Sequence, residues 1–124
     1  MSFAAFITMT GAQPWAWGVQ DCTLWVADWC KLRWRVDPAL TFRDRYDTEA
    51  GAQALIDKAG SLVDLVSPHM AFLVQKNEAD DGDVGVIEVL GRQTAAIRVG
   101  DKWAFRSQAG VGFVDAAPLI VWGD

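Results

Sequence analysis

Histidine and cysteine are both scarce in this chain. One histidine, His69, and two cysteines, Cys22 and Cys30, stand among 124 residues. Two cysteines exclude a disulfide-stapled scaffold. If both lie on one helix, a rise of about 1.5 Å per residue sets them about 12 Å apart. A disulfide needs Cα atoms within about 7 Å, so in that case they do not pair. No Cys-x-x-Cys and no Cys/His cluster occurs, which argues against a zinc or iron–sulfur site made by this chain alone. No cofactor is implied. Long apolar runs are also missing. The charge-free stretch Phe3 to Val19 is interrupted by Gly, Gln, Thr and Pro, so nothing approaches the roughly 18 apolar residues of a membrane span. This is not the sequence of an integral membrane protein. Basic residues are few. Eleven Lys and Arg against sixteen Asp and Glu leave a net charge of −5, which argues against nucleic acid as a partner. Met1 to Thr10 lacks the basic start and small-residue cleavage site of a signal peptide. Folding in a reducing cytosol is the expectation.

Apolar and aromatic residues are abundant. Apolar residues make up 52% and charged residues 22%, a balance that excludes intrinsic disorder. The length predicts one domain over 1–124, burying roughly 65–70% of its unfolded surface. Seven residues are tryptophan, and five of these fall between Trp15 and Trp34. Two readings compete. The rings build an aromatic core, or some of them form a protein–protein surface, where Trp is enriched. Trp15, Trp17, Trp34 and Trp122 are the candidates for partner binding.

Helix signals fill the first half. Phe3 to Thr8 reads as a short helix closed by Gly11 and Pro14. Asp21 is a good N-cap for a helix from Cys22 to about Arg33, with Lys31, Arg33 and Arg35 at its negative end. Arg43, Asp44, Arg45 and Asp47 read as a solvated, salt-bridged loop. Helix signals return with Thr48-Glu49-Ala50 and end at Gly60, a natural C-cap. Ser61 caps a short fourth helix stopped by Pro68. Leu73 and Val74 begin an irregular segment. From Asp83 the pattern turns to strands, at 83–90, 94–99, 102–106, 110–114 and 118–122, with Gly100-Asp101 as a tight hairpin turn. The expected fold is α+β, with N-terminal helices packed on a C-terminal antiparallel β-meander. Trp103 and Phe105 share one strand face and are expected to pack on the helices. Asp80, Asp81 and Asp83 lack the spacing and terminal Glu of a calcium loop.

One constellation carries possible chemistry. Cys22 stands just inside a helix start, where partial positive charge and free N–H groups favour a thiolate. Asp21 opposes this if its carboxylate points at the sulfur. A cysteine hydrolase also needs a base, normally histidine, within hydrogen-bond reach. His69, in Ser67-Pro68-His69-Met70, is the only histidine. The plainer readings are a small buried helix residue for Cys22 and a loop histidine for His69.

Trp17-Gly18-Val19-Gln20-Asp21-Cys22, a hydrophobic helix, and Gly82-Asp83-Val84 opening a β-meander together resemble the NlpC/P60 peptidases, papain-like cysteine peptidases that cut cell-wall peptides. The chain is still more similar to a small uncharacterised family encoded in tailed-phage, prophage and gene-transfer-agent tail modules. The further segments that carry this are Val26-Ala27-Asp28-Trp29 and Arg45-Tyr46-Asp47-Thr48-Glu49-Ala50-Gly51-Ala52. The resemblance implies an NlpC/P60-like fold with Cys22 at the nucleophile position. It puts the catalytic histidine near Thr94, in Thr94-Ala95-Ala96-Ile97, and the orienting residue within Lys102 to Ser107. Neither Thr94 nor Ala95 acts as a base at neutral pH. Loss of a triad base costs orders of magnitude in rate.

The implied function is therefore a structural or adaptor component of a phage-type tail tip, built on a degenerate peptidase fold. Its partners would be other tail and tail-tip proteins. Its place would be the virion tail, after synthesis in the bacterial host cytoplasm. The alternative is an active peptidase or amidase that contacts and cuts peptidoglycan during cell entry. Cys22 would be its nucleophile, with His69 or a partner chain's histidine as base.

Overall fold

Helix caps and hairpin turns set the local structure of the computed structural model, which describes residues 1–124. Helix α1 spans Phe3–Thr10 and starts where the Ser2 hydroxyl accepts the Ala5 N–H. Helix α2 spans Cys22–Trp34, capped by Asp21 and ended by Arg35 in a left-handed conformation. Helices α3, Glu49–Ala59, and α4, Leu62–Val66, begin at the hydroxyl caps Thr48 and Ser61. A 3₁₀ turn, Ser67–His69, leads into the sheet. The strands are β1 Val74–Lys76, β2 Val84–Val89, β3 Arg92–Val99, β4 Lys102–Ser107, β5 Gly110–Val114 and β6 Ile120–Gly123. The architecture is α+β with a six-stranded sheet whose paired strands are all antiparallel. No helix is long and apolar enough to cross a membrane.

The sheet is more than a meander. Its order is β1-β6-β2-β3-β4-β5. β2 to β5 follow one another as hairpins, but β6 returns past three strands to lie between β1 and β2. Val74, expected in an irregular segment, pairs with Gly123 in this edge ladder. Isolated tripeptide strands carry little β signal, and β1 exists because β6 is there to receive it.

The main core lies between the helices and one sheet face. Phe6 is fully buried between Trp25 and Trp29, each ring 5.3 Å away. The two indoles sit one turn apart on α2, on a common face. Each indole N–H is satisfied: Trp25 donates to the Thr10 hydroxyl at 2.9 Å, and Trp29 to the Gly82 carbonyl at 2.9 Å. Val84, Val86, Ala95, Ile97 and Ala104 complete this core from the sheet.

The other sheet face has its own core, and here the expectation for Trp103 is corrected. Ala104 faces the helices. Its neighbours Trp103 and Phe105 therefore point to the opposite side, since side chains alternate along a strand. Trp103 packs there with Ile87, Ala96 and Val121. Ala116, from the connection that carries β6 back across the sheet, covers this cluster. Gly85 allows the close approach of β6, because a Cβ there would meet the Ile120 carbonyl at 2.5 Å.

Trp103→Ala is expected to lower unfolding free energy by about 3–5 kcal/mol, the usual cost of an emptied aromatic site. Urea titration followed by far-ultraviolet circular dichroism measures it. A loss under about 1 kcal/mol would mean that the far-face cluster is not a core.

Candidate functional site

The residues around Cys22 are assembled by one side chain. Asp21 is 1% exposed, and its carboxylate takes four hydrogen bonds. Two come from the first turn of α2, from the N–H groups of Thr23 at 3.2 Å and Leu24 at 2.9 Å. A third comes from the Gly18 N–H at 3.0 Å, and the fourth from the Tyr46 hydroxyl at 2.5 Å. The loop before the helix and the loop after it are thus pinned to the same helix end. Gly18 is required: its φ is +81°, and a Cβ there would overlap the Tyr46 carbonyl oxygen.

The 35–46 loop is fastened a second time. Arg43 bridges Asp28 on α2 at 2.8 Å and Asp37 at 2.8 Å. Arg43 and Asp37 are partly buried. Of the residues expected as a solvated, salt-bridged loop, Arg43 is anchored to α2, while Asp44, Arg45 and Asp47 are exposed as expected. Opposing forces act on Asp37. Burial raises its pKa, and the Arg43 hydrogen bonds, the Ala39 N–H and the charges of Arg43 and Lys31 together outweigh that, holding the carboxyl below its ordinary range.

Between this assembly and the sheet runs an open cleft of about 590 Å³. Cys22, Asp21 and Tyr46 line one side. Thr94 and the end of β4, Phe105 to Ser107, line the other. Trp15 and Trp17 stand at the cleft as an edge-to-face pair with centroids 5.1 Å apart. Arg92 closes one end, donating to Glu49 at 3.2 Å across the gap to α3. Thr94 turns its hydroxyl to the Arg92 carbonyl at 3.3 Å.

The Cys22 thiol is half-buried, with the Thr23 hydroxyl at 3.8 Å. Its pKa is pushed above the ordinary thiol value, first by burial and then by the negative charge of Asp21. Burial first, and the residue that caps the helix second, thus oppose the activation that a helix N-terminus favours. Cys30 is more deeply buried, and its thiol is pushed up to about 12. Burial and the bond to Asp21 likewise push the Tyr46 phenol well above its ordinary value.

His69 is not brought to Cys22. It lies outside the cleft, lining a separate small cavity with Cys30 and Met70. Its ring packs edge-on against Phe42 at 4.8 Å. Among the tryptophans singled out, Trp122 belongs to the main core and is 6% exposed. Half-buried Trp34 packs on Phe72 at 6.3 Å under the Arg33 guanidinium. Trp15 and Trp17 are the two that border the cleft.

Two residues of the site escape a reading of the sequence. Tyr46 is the only tyrosine, but nothing local says that it reaches Asp21. Arg106 reads as one member of an alternating strand. Yet it is 3% exposed, and it donates to the carbonyls of Thr10 at 3.2 Å and Gln13 at 2.7 Å. It holds the segment leading to Trp15 against β4.

Two predictions test this geometry. In a Cys30→Ser background, the iodoacetamide alkylation rate of Cys22 is expected to keep rising above pH 9. A rate already level below pH 7 would show an activated thiolate. Tyr46→Phe removes one donor to a buried carboxylate and is expected to cost about 2 kcal/mol by urea titration. An unchanged midpoint would show that the phenol does not support Asp21.

A family model described as "Domain of unknown function (DUF6950)" matches residues 1–122, and the chain belongs to that family. No curated protein and no solved structure matches it.

Proposed function

We propose that this DUF6950 chain is a structural or adaptor component of a phage-type tail tip, on a degenerate NlpC/P60-like peptidase scaffold. One observation carries the reading. The cleft that holds Cys22 has Thr94 where the resembled peptidases carry histidine, and the chain's single histidine lines a different cavity. The remaining features agree with it. A thiol raised by burial and by Asp21 is a poor nucleophile at neutral pH. The cleft then serves as a shaped surface rather than a reaction site. In this proposal the partners are other tail-tip proteins and the chain resides in the virion tail.

The open position of Cys22 favours a second reading, a peptidase or amidase whose base comes from a partner chain. Peptidoglycan would then be the substrate.

Genetic complementation separates the two. Deleting the chain from its tail module is expected to leave tails without a completed tip, and the Cys22→Ala chain is expected to restore them to wild-type numbers. Tails that assemble normally without the chain would overturn the structural reading. Cell-wall clearing in a zymogram that disappears with Cys22→Ala would put the peptidase in its place.

A further inference from the structure

The two edges of the sheet are unlike. β1 is three residues long and ends in Lys76, which is bound to Asp80 at 2.7 Å and to buried Asp83 at 2.5 Å. A short edge with fixed charges resists the addition of another strand. β5 has five residues, Gly110–Val114, and no charge occurs from Ser107 through Val114. No backbone hydrogen bond joins β5 to anything but its hairpin partner β4. In an antiparallel ladder, alternate residues of an edge strand send both backbone groups outward. Counted from the Ser107–Gly110 pair that closes the hairpin, those residues are Val111 and Phe113. Phe113 is 54% exposed.

We propose that this edge joins a second copy of the chain, β5 against β5, antiparallel about a twofold axis at Gly112. The strand is self-complementary in that register, as a twofold interface demands. Val111 meets Phe113 of the other copy, twice, and Gly112 meets Gly112. A β-branched residue opposite an aromatic one is a favourable cross-strand pair. The outward N–H and C=O groups of Val111 and Phe113 bond to each other across the axis. Charge favours this occupant locally. The nearest ionised residue, Asp115, falls opposite Ala109, so no like charges meet, and its carboxylate is already held by Lys102 at 2.7 Å. The two sheets become one of twelve strands, and the cleft with Cys22 takes no part. The inference therefore stands apart from the reading of the cleft.

Sedimentation equilibrium of the purified full chain tests it, with Phe113→Lys as the comparison. Phe113 is exposed, so the variant is expected to keep the wild-type circular dichroism and melting temperature. Its dimer dissociation constant is expected to rise at least about tenfold, because the change enters the interface twice. Hydrogen exchange gives the register. The Val111 and Phe113 amides are expected to slow as the chain is concentrated, while those of Val74 to Lys76 do not change. A chain that stays monomeric up to about 1 mM would overturn the proposal. So would a dimer that tolerates Phe113→Lys, or concentration-dependent protection that leaves Val111 and Phe113 untouched.

Discussion

The buried carboxylate of Asp21 is the constraint on which the cleft depends. An ionised group this deep is tolerable only when its oxygens are hydrogen-bonded, and Asp21 receives four donors from three segments. Each donor it recruits places a wall. The Thr23 and Leu24 amides start α2 with Cys22 on its first turn. The Gly18 amide folds the Trp15–Trp17 loop beside that turn, and the Tyr46 hydroxyl brings in the loop that precedes α3. Satisfying one charge thus fixes the relative positions of two loops and a helix, and the space left between them and the sheet is the cleft.

Much of the helical layer is legible in the sequence, because its signals are local. Asp21 and Ser61 each cap the helix that the pattern places after them, Thr48 caps the one whose signal it opens, and all three side chains accept from the first turn. The hairpins of β2 to β5 are legible for the same reason. The place of β6 is not, since a return across three strands is decided by which faces need covering. Trp103 shows the limit. Strict alternation says that Trp103 and Phe105 lie together, but it does not say which face meets the helices when both faces are buried. The small residues Ala95 and Ala104 lie under the bulky helix side chains. The larger Trp103 fills the other side, covered by Ala116 of the returning connection and Ala79 of the segment before β2.

The site is legible in part. Cys22 at a helix start follows from the local pattern, the place of Thr94 is what the resemblance implies, and both line one cleft. The partners that decide its chemistry are not legible, because they come from distant segments. Tyr46 reaches Asp21 only after the 35–46 loop is folded back by Arg43. Arg106 closes on carbonyls of the N-terminal segment far away in sequence. His69 is the converse case. As the only histidine it invites pairing with the only half-exposed thiol, yet in the 3₁₀ turn it packs against Phe42 and lines a cavity other than the cleft.

The thiol's electrostatics follow from the same cap. A helix N-terminus stabilises a thiolate through partial positive charge and unbonded N–H groups. At α2 the Asp21 carboxylate already occupies the Thr23 and Leu24 amides and adds a full negative charge beside the sulfur. Burial is the larger cause of the raised thiol, and the full charge of Asp21 adds to it against the half-charge equivalent of the helix end. The cap that builds the cleft thus also adds to the burial that raises its thiol. Activating that thiol would require a base or a cation to be brought to it. Arg106, the buried cation on the cleft's sheet side, is instead committed to backbone carbonyls. In the chain taken alone, burial and the charge of Asp21 therefore leave the Cys22 thiol raised, with no free cation from Arg106 to offset them.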